Sequence, residues 1–165
     1  MKKFIKFVDT LSWLGGYTSG IMMIVGFVLV IIEILVRGLF VKTLYITEEY
    51  TGYLMAGVTY LALAFTLRDG AHIRMTFIFE VLSERKKLLL EIICFVIGFA
   101  FSIVLTYLTF SLFWDSVITG TKAMSISETP LAIPQALLPI GSFLMTLQFL
   151  SEIAKRSLAL RRSEG

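Results

Sequence analysis

Few side chains in this sequence could do chemistry, and their spacing narrows what that chemistry is. Glu33 and Arg37 stand four apart with the acid first, and Glu152 and Arg156 repeat that spacing. On a helix this is the favourable order for an intrahelical ion pair. Glu48 and Glu49 are adjacent, and Arg68, Asp69, Gly70 and His72 make a tight polar knot that Arg74 extends. His72 is the only imidazole and Cys94 the only thiol. One histidine cannot supply paired axial haem ligands or a His-rich metal site. No serine, histidine and acid are grouped as in a triad, and no Gly-rich phosphate loop is present. The sequence therefore predicts no catalytic residue, no metal ligand and no bound cofactor, and the chain is not expected to be an enzyme.

The elements that carry these residues are apolar. Of 165 residues 57% are hydrophobic and only 16% charged, with a mean hydropathy of +0.86. Soluble domains carry about 25% charged residues, and a chain this short could not hide so much apolar surface from water. Four charge-free runs cover 10–32, 50–67, 92–114 and 129–151. The shortest holds about 18 residues, or ~27 Å as a helix, enough to cross a bilayer core. We expect an all-α integral membrane protein, one domain over 1–165, with spans near 12–36, 48–67, 89–114 and 132–153. Met75, Ile78, Phe79 and Leu82 recur at helical spacing, so a short amphipathic helix is expected in the interface near 74–84. No charge falls at the middle of any run, so an ion pathway within the chain is not supported.

Four spans place both termini on one side. Twelve of the fifteen basic residues gather there, leaving only Arg37, Lys42 and Lys122 opposite. The positive-inside rule then puts both termini in the cytoplasm and makes a nucleic-acid role unnecessary for the net charge of +3. Lys2, Lys3 and Lys6 precede a long apolar run, and no alanine occurs before Ala56, so an uncleaved first helix is expected.

The remaining signal is small residues at helical spacing. Gly16 and Gly20 in the first run, Gly52, Ala56 and Thr59 in the second, Gly98 in the third, and Gly141 beside Pro139 in the fourth let another helix come close. Pro139 frees a carbonyl near Gln135, so a kink is expected. These features describe a small four-helix membrane subunit that binds a larger partner. An alternative is a small self-dimerising multidrug-type exporter built around Glu33, and another is a non-transporting membrane assembly protein.

The runs E-E-Y-T-G-Y-L from Glu48 and R-D-G-A-H-I-R-M from Arg68, with L-P-I-G at Leu138 to Gly141, resemble the small membrane (DctQ-like, Q) subunit of the tripartite ATP-independent periplasmic (TRAP) transporters. One departure is Thr76, where the family usually has an Asp. The resemblance implies a place in the bacterial inner membrane and two partners: a large multi-span transport subunit, which holds the sodium and substrate sites, and a periplasmic binding protein. It implies sodium-coupled import of an organic acid, of sialic acid or C4-dicarboxylate type. The small subunit would brace the scaffold of the large one. Gly16, Gly20, Gly52, Ala56, Thr59, Gly98, Pro139 and Gly141 become candidates for that interface. Arg37, Lys42, Glu48, Glu49 and Lys122 become candidates for docking the binding protein, and Arg68, Asp69, Gly70 and His72 form a structural motif.

Overall fold

The computed structural model describes residues 2–70 and 84–162. The interfacial helix expected near 74–84, His72 and Thr76 fall in the stretch outside those residues, apart from Glu84. Five helices are described: α1 (Lys2–Phe40), α2 (Ile46–Arg68), α3 (Glu84–Thr119), α4 (Ala132–Gln135) and α5 (Leu137–Arg162). Four helical segments are long and apolar enough to cross a membrane, α4 and α5 counting together, so the chain is a multi-pass membrane protein.

The charge-free runs fix the middles of the helices but not their ends. The 39 residues of α1 make a rod of about 58 Å, so it extends well beyond a ~30 Å hydrocarbon core. It begins at Lys2 rather than near 12, and α3 begins at Glu84 rather than near 89. Intrahelical hydrogen bonding does not stop where the lipid does, and nothing between Lys2 and Thr10 breaks a helix.

The terminators are local. α2 ends at Arg68, where Asp69 donates its N–H to Phe65 O (3.0 Å) and Gly70, at φ 69°, donates to Leu67 O (3.2 Å). That left-handed stop is cheap for glycine. Val41, just after α1, takes φ 54° without that advantage. The fourth span is interrupted at Ala136, three residues before Pro139, and resumes at Leu137. The break falls beside Gln135, whose carbonyl lost its partner to the proline ring.

α5 is the hub of the packing. It lies against α1, α2 and α3, and α1 also pairs with α2, whereas α3 packs chiefly on α5. The apolar stretch of α5 is accordingly 44% buried and that of α3 only 6%. Leu61 and Ala64 of α2 with Leu144 of α5 form the buried core, flanked by Leu11, Met22 and Leu137. Large side chains such as Phe101, Tyr107, Phe110 and Trp114 cover the outside of α3, as lipid-facing residues do.

Candidate functional site

The small residues divide into two sets. The first is taken up inside the chain. A Cβ on Gly141 would lie 2.5 Å from the carbonyl carbon of Tyr60, so α5 and α2 touch backbone to backbone there. A Cβ on Gly16 would meet Phe65 Cγ at 2.5 Å, and one on Gly98 would meet Phe149 Cζ at 2.6 Å. Pro139 is buried as well. The small size of Gly16, Gly98 and Gly141 is thus explained by contacts within this chain. Gly15, next to Gly16, and Gly57, next to Ala56, do the same work: a Cβ on Gly15 would lie 2.9 Å from Leu61 O, and one on Gly57 would lie 2.8 Å from Leu137 Cδ1.

The second set faces outward. Gly20 and Gly52 have nothing within 4 Å of a built Cβ, Ala56 is half-buried and Thr59 is exposed. On α2 these residues lie on the side opposite Leu61, away from the core. Thr59 and Met55 also border an apolar groove between α1 and α2, of about 340 Å³, with Met22, Gly26 and Phe27 on its other wall. This is the face of the protein that another helix backbone could approach closely.

Behind these faces sit three polar ties. At the end opposite the termini, Glu33 is buried and holds the α1–α2 connection. It accepts from Arg37 Nη2 (2.8 Å), the backbone N–H of Leu44 (2.9 Å) and Thr47 Oγ1 (3.1 Å). A carboxylate with three donors already in place is a clamp, with no free oxygen aimed into the bundle. Arg37 keeps its side chain largely exposed while making this pair.

Glu49 makes the second tie. It accepts from Tyr53 Oη (2.7 Å), from Ser125 Oγ and from Ser127 Oγ, and so pins the 120–131 connection to α2. Thr129 Oγ1 donates to Tyr50 Oη (3.4 Å) alongside. The connection is a short hairpin-like loop: Ala123 N–H donates to Thr129 O (2.9 Å) and Leu131 N–H to Thr121 O (3.0 Å). Lys122 pairs across it with Glu128 (3.1 Å), both exposed. Of the docking candidates, Lys42, Glu48, Arg37 and Lys122 therefore remain at the surface, whereas the carboxylate of Glu49 is engaged by the chain's own loop.

The third tie lies at the end that holds both termini, and residue spacing did not reveal it. Gln148, fully buried, accepts from Ser12 Oγ (2.7 Å) and donates to Asp9 Oδ1 (3.1 Å) and Glu152 Oε1 (3.2 Å). Lys155 Nζ bridges the same two carboxylates at 2.8 and 2.7 Å. The four-apart pair expected between Glu152 and Arg156 is replaced by these contacts. Glu152 turns towards α1, and Arg156 turns to α3, where its Nε lies 3.0 Å from Glu91 Oε2. The bundle buries the helix face that carries Glu152, where Lys155 reaches both Glu152 and Asp9 while Arg156 lies against α3. The only hint in the sequence was Gln148 itself, a polar side chain deep in an apolar run.

The seam between α3 and α5 continues this pattern with hydroxyls. Thr109 Oγ1 and Ser142 Oγ stand 2.9 Å apart, and Thr106 Oγ1 and Thr146 Oγ1 3.1 Å. The Phe95 and Phe149 rings meet edge-on at 6.3 Å. Among the described residues no three His, Cys, Asp or Glu side chains stand close enough to hold a metal ion.

A four-span helical bundle whose described buried polar groups tie helices and loops together, and which keeps one small-residue face open, belongs to the class of multi-pass membrane proteins built around packing. The family model for the DctQ component of the tripartite ATP-independent periplasmic transporters matches residues 26–158, and the chain belongs to that family. It is a TRAP transporter small component, and the family works in transport with a large subunit and a binding protein. A comparison with curated proteins finds no match.

Proposed function

We propose that this chain is the small permease subunit of a sodium-coupled TRAP transporter that imports an organic acid, of sialic acid or C4-dicarboxylate type. It lies in the bacterial inner membrane with both termini in the cytoplasm, where twelve of its fifteen basic residues gather. Its work is to brace the scaffold of the large transport subunit, which carries the sodium and substrate. The outward face of α1 and α2, with Gly20, Gly52, Ala56 and Thr59, is where that subunit packs. The exposed far-end residues Arg37, Lys42, Glu48 and Lys122 are available to the periplasmic binding protein.

The observation that carries this reading is the family match over 26–158 on a bundle that leaves its α1–α2 face open. The exporter alternative needs a free glutamate, and Glu33 is held by Arg37, Leu44 and Thr47. The test is a mild-detergent pull-down of the tagged protein from its host membranes, with the retained species identified by mass spectrometry. A stoichiometric, much larger multi-span protein supports the reading. Recovery of the chain alone as a dimer would overturn it.

A further inference from the structure

At the end holding the termini, an open cavity of about 450 Å³ lies between α1 and α2. Its described lining is Ile5, Lys6, Asp9, Thr10, Trp13 and Arg68. Lys6 and Arg68 make no ion pair with any described residue. The single carboxylate among the described lining residues, Asp9, already has its Oδ1 engaged by Lys155 Nζ and Gln148 Nε2. The described wall therefore carries two cations against one carboxylate.

Its position says what covers that charge. Lys6 stands one turn before the first charge-free run and Arg68 is the last residue of α2, so both cations sit at one boundary of the apolar spans. Trp13 is half-exposed beside them and stacks on Tyr17 with ring centroids 5.5 Å apart. A paired aromatic at that level is an interface anchor. Cations at headgroup depth, with the Trp13 ring about two turns deeper along α1, match a lipid phosphate with its glycerol and upper acyl chain. A free anion in water would gain nothing from the Trp13 ring.

We propose that this cavity binds the phosphate of an anionic phospholipid through Lys6 and Arg68, with Trp13 against the glycerol region. The proposal does not rest on the transport reading: its residues lie at the opposite end from the binding-protein docking candidates, and although it shares the α1–α2 side with the proposed large-subunit contact, its test uses this chain alone.

Trp13 and Trp114 are the chain's two tryptophans. The variant Trp114→Phe therefore makes Trp13 a reporter inside the site. The protein is reconstituted into equimolar phosphatidylglycerol and phosphatidylcholine vesicles, with bromine on the acyl chains of one lipid or the other. Brominated phosphatidylglycerol should quench Trp13 more strongly than brominated phosphatidylcholine. A basic residue near an anionic surface is worth about fivefold in lipid association, so the preference should fall about fivefold in Lys6→Gln and ~thirtyfold in Lys6→Gln/Arg68→Gln. The charge-preserving Lys6→Arg/Arg68→Lys protein should keep it. Equal quenching by the two lipids in the Trp114→Phe protein would overturn the proposal. So would loss of preference in the charge-preserving variant. Abolition of the preference by millimolar inorganic phosphate would also overturn it, in favour of a free-anion site.

Discussion

Gly141 and Gly52 should respond to the same substitution with opposite signs. At Gly141 the helices α5 and α2 are in backbone contact: a Cβ there would lie 2.5 Å from the carbonyl carbon of Tyr60 and closer still to its oxygen. Real Cβ atoms essentially never come within 3.0 Å of another atom, and the obstacle is main chain, which has no rotamer to change. Gly141→Ala must push α5 off α2 at the place where the core of Leu61, Ala64 and Leu144 closes. Overpacking of this kind costs typically 1–3 kcal/mol, against a gain of about 0.5–1 kcal/mol for removing a glycine from a helix. Taking the middle of each range, the net loss should be about 1 kcal/mol. At Gly52 a Cβ meets nothing within 4 Å, so Gly52→Ala keeps only the helical gain of about 0.5–1 kcal/mol. Both are read from unfolding of the purified protein by sodium dodecyl sulfate, followed by far-ultraviolet circular dichroism. If Gly141→Ala is as stable as the parent, or if the two variants shift in the same direction, the division of glycines into inner and outer sets is wrong.

Other perturbations probe the polar ties and the open face. Gln148→Leu removes three hydrogen bonds at the Ser12–Asp9–Glu152 cluster, each worth about 0.6 kcal/mol on average in a membrane, so detergent unfolding should show a loss of ~2 kcal/mol. Val41→Gly relieves a left-handed conformation at a side chain that is 90% exposed, and should stabilise by about 1 kcal/mol in the same assay. Glu49→Gln weakens the hold on Ser125 and Ser127; amide hydrogen exchange should quicken across 121–129 while the spans stay protected. Gly52→Leu should leave the isolated chain folded yet lower recovery of the large subunit in a pull-down, and unchanged recovery would move the interface to another face.

How much of this was legible beforehand depended on the kind of signal. Four apolar runs and a one-sided distribution of basic residues defined four membrane helices, because lipid imposes length and composition on anything that crosses it. Helix ends were less legible: α1 and α3 continue into polar sequence that has no breaker. Gly16, Gly20, Gly52 and Gly98 look alike in sequence, yet Gly16 faces Phe65 and Gly20 faces open space. One turn of helix and a slight rotation decide between those fates, and spacing along one helix does not contain the position of its neighbour. Of the two four-apart ion pairs, Glu33–Arg37 forms, and the second failed for the same reason. Glu152 and Arg156 have the right spacing for each other, but α1 offers Glu152 a buried network and α3 offers Arg156 the carboxylate of Glu91.

Exposed apolar surface cannot by itself tell a partner from lipid, since acyl chains are as apolar as leucine. The α1–α2 side of this bundle differs in setting open glycines between large side chains such as Phe27 and Met55. α3 shows Phe101, Tyr107, Phe110 and Trp114, large groups that hold any neighbouring backbone at a distance and lose little by contacting fluid chains. The α1–α2 side shows Gly20, Gly52 and Thr59, where a second helix gains close van der Waals contact that disordered lipid cannot match. On the proposed function the large-subunit contact is assigned to the α1–α2 side, and α3, held chiefly by its seam to α5, is assigned to the lipid. Introducing leucine at Gly52 and alanine at Phe101 separates the two, because only the first should reduce assembly.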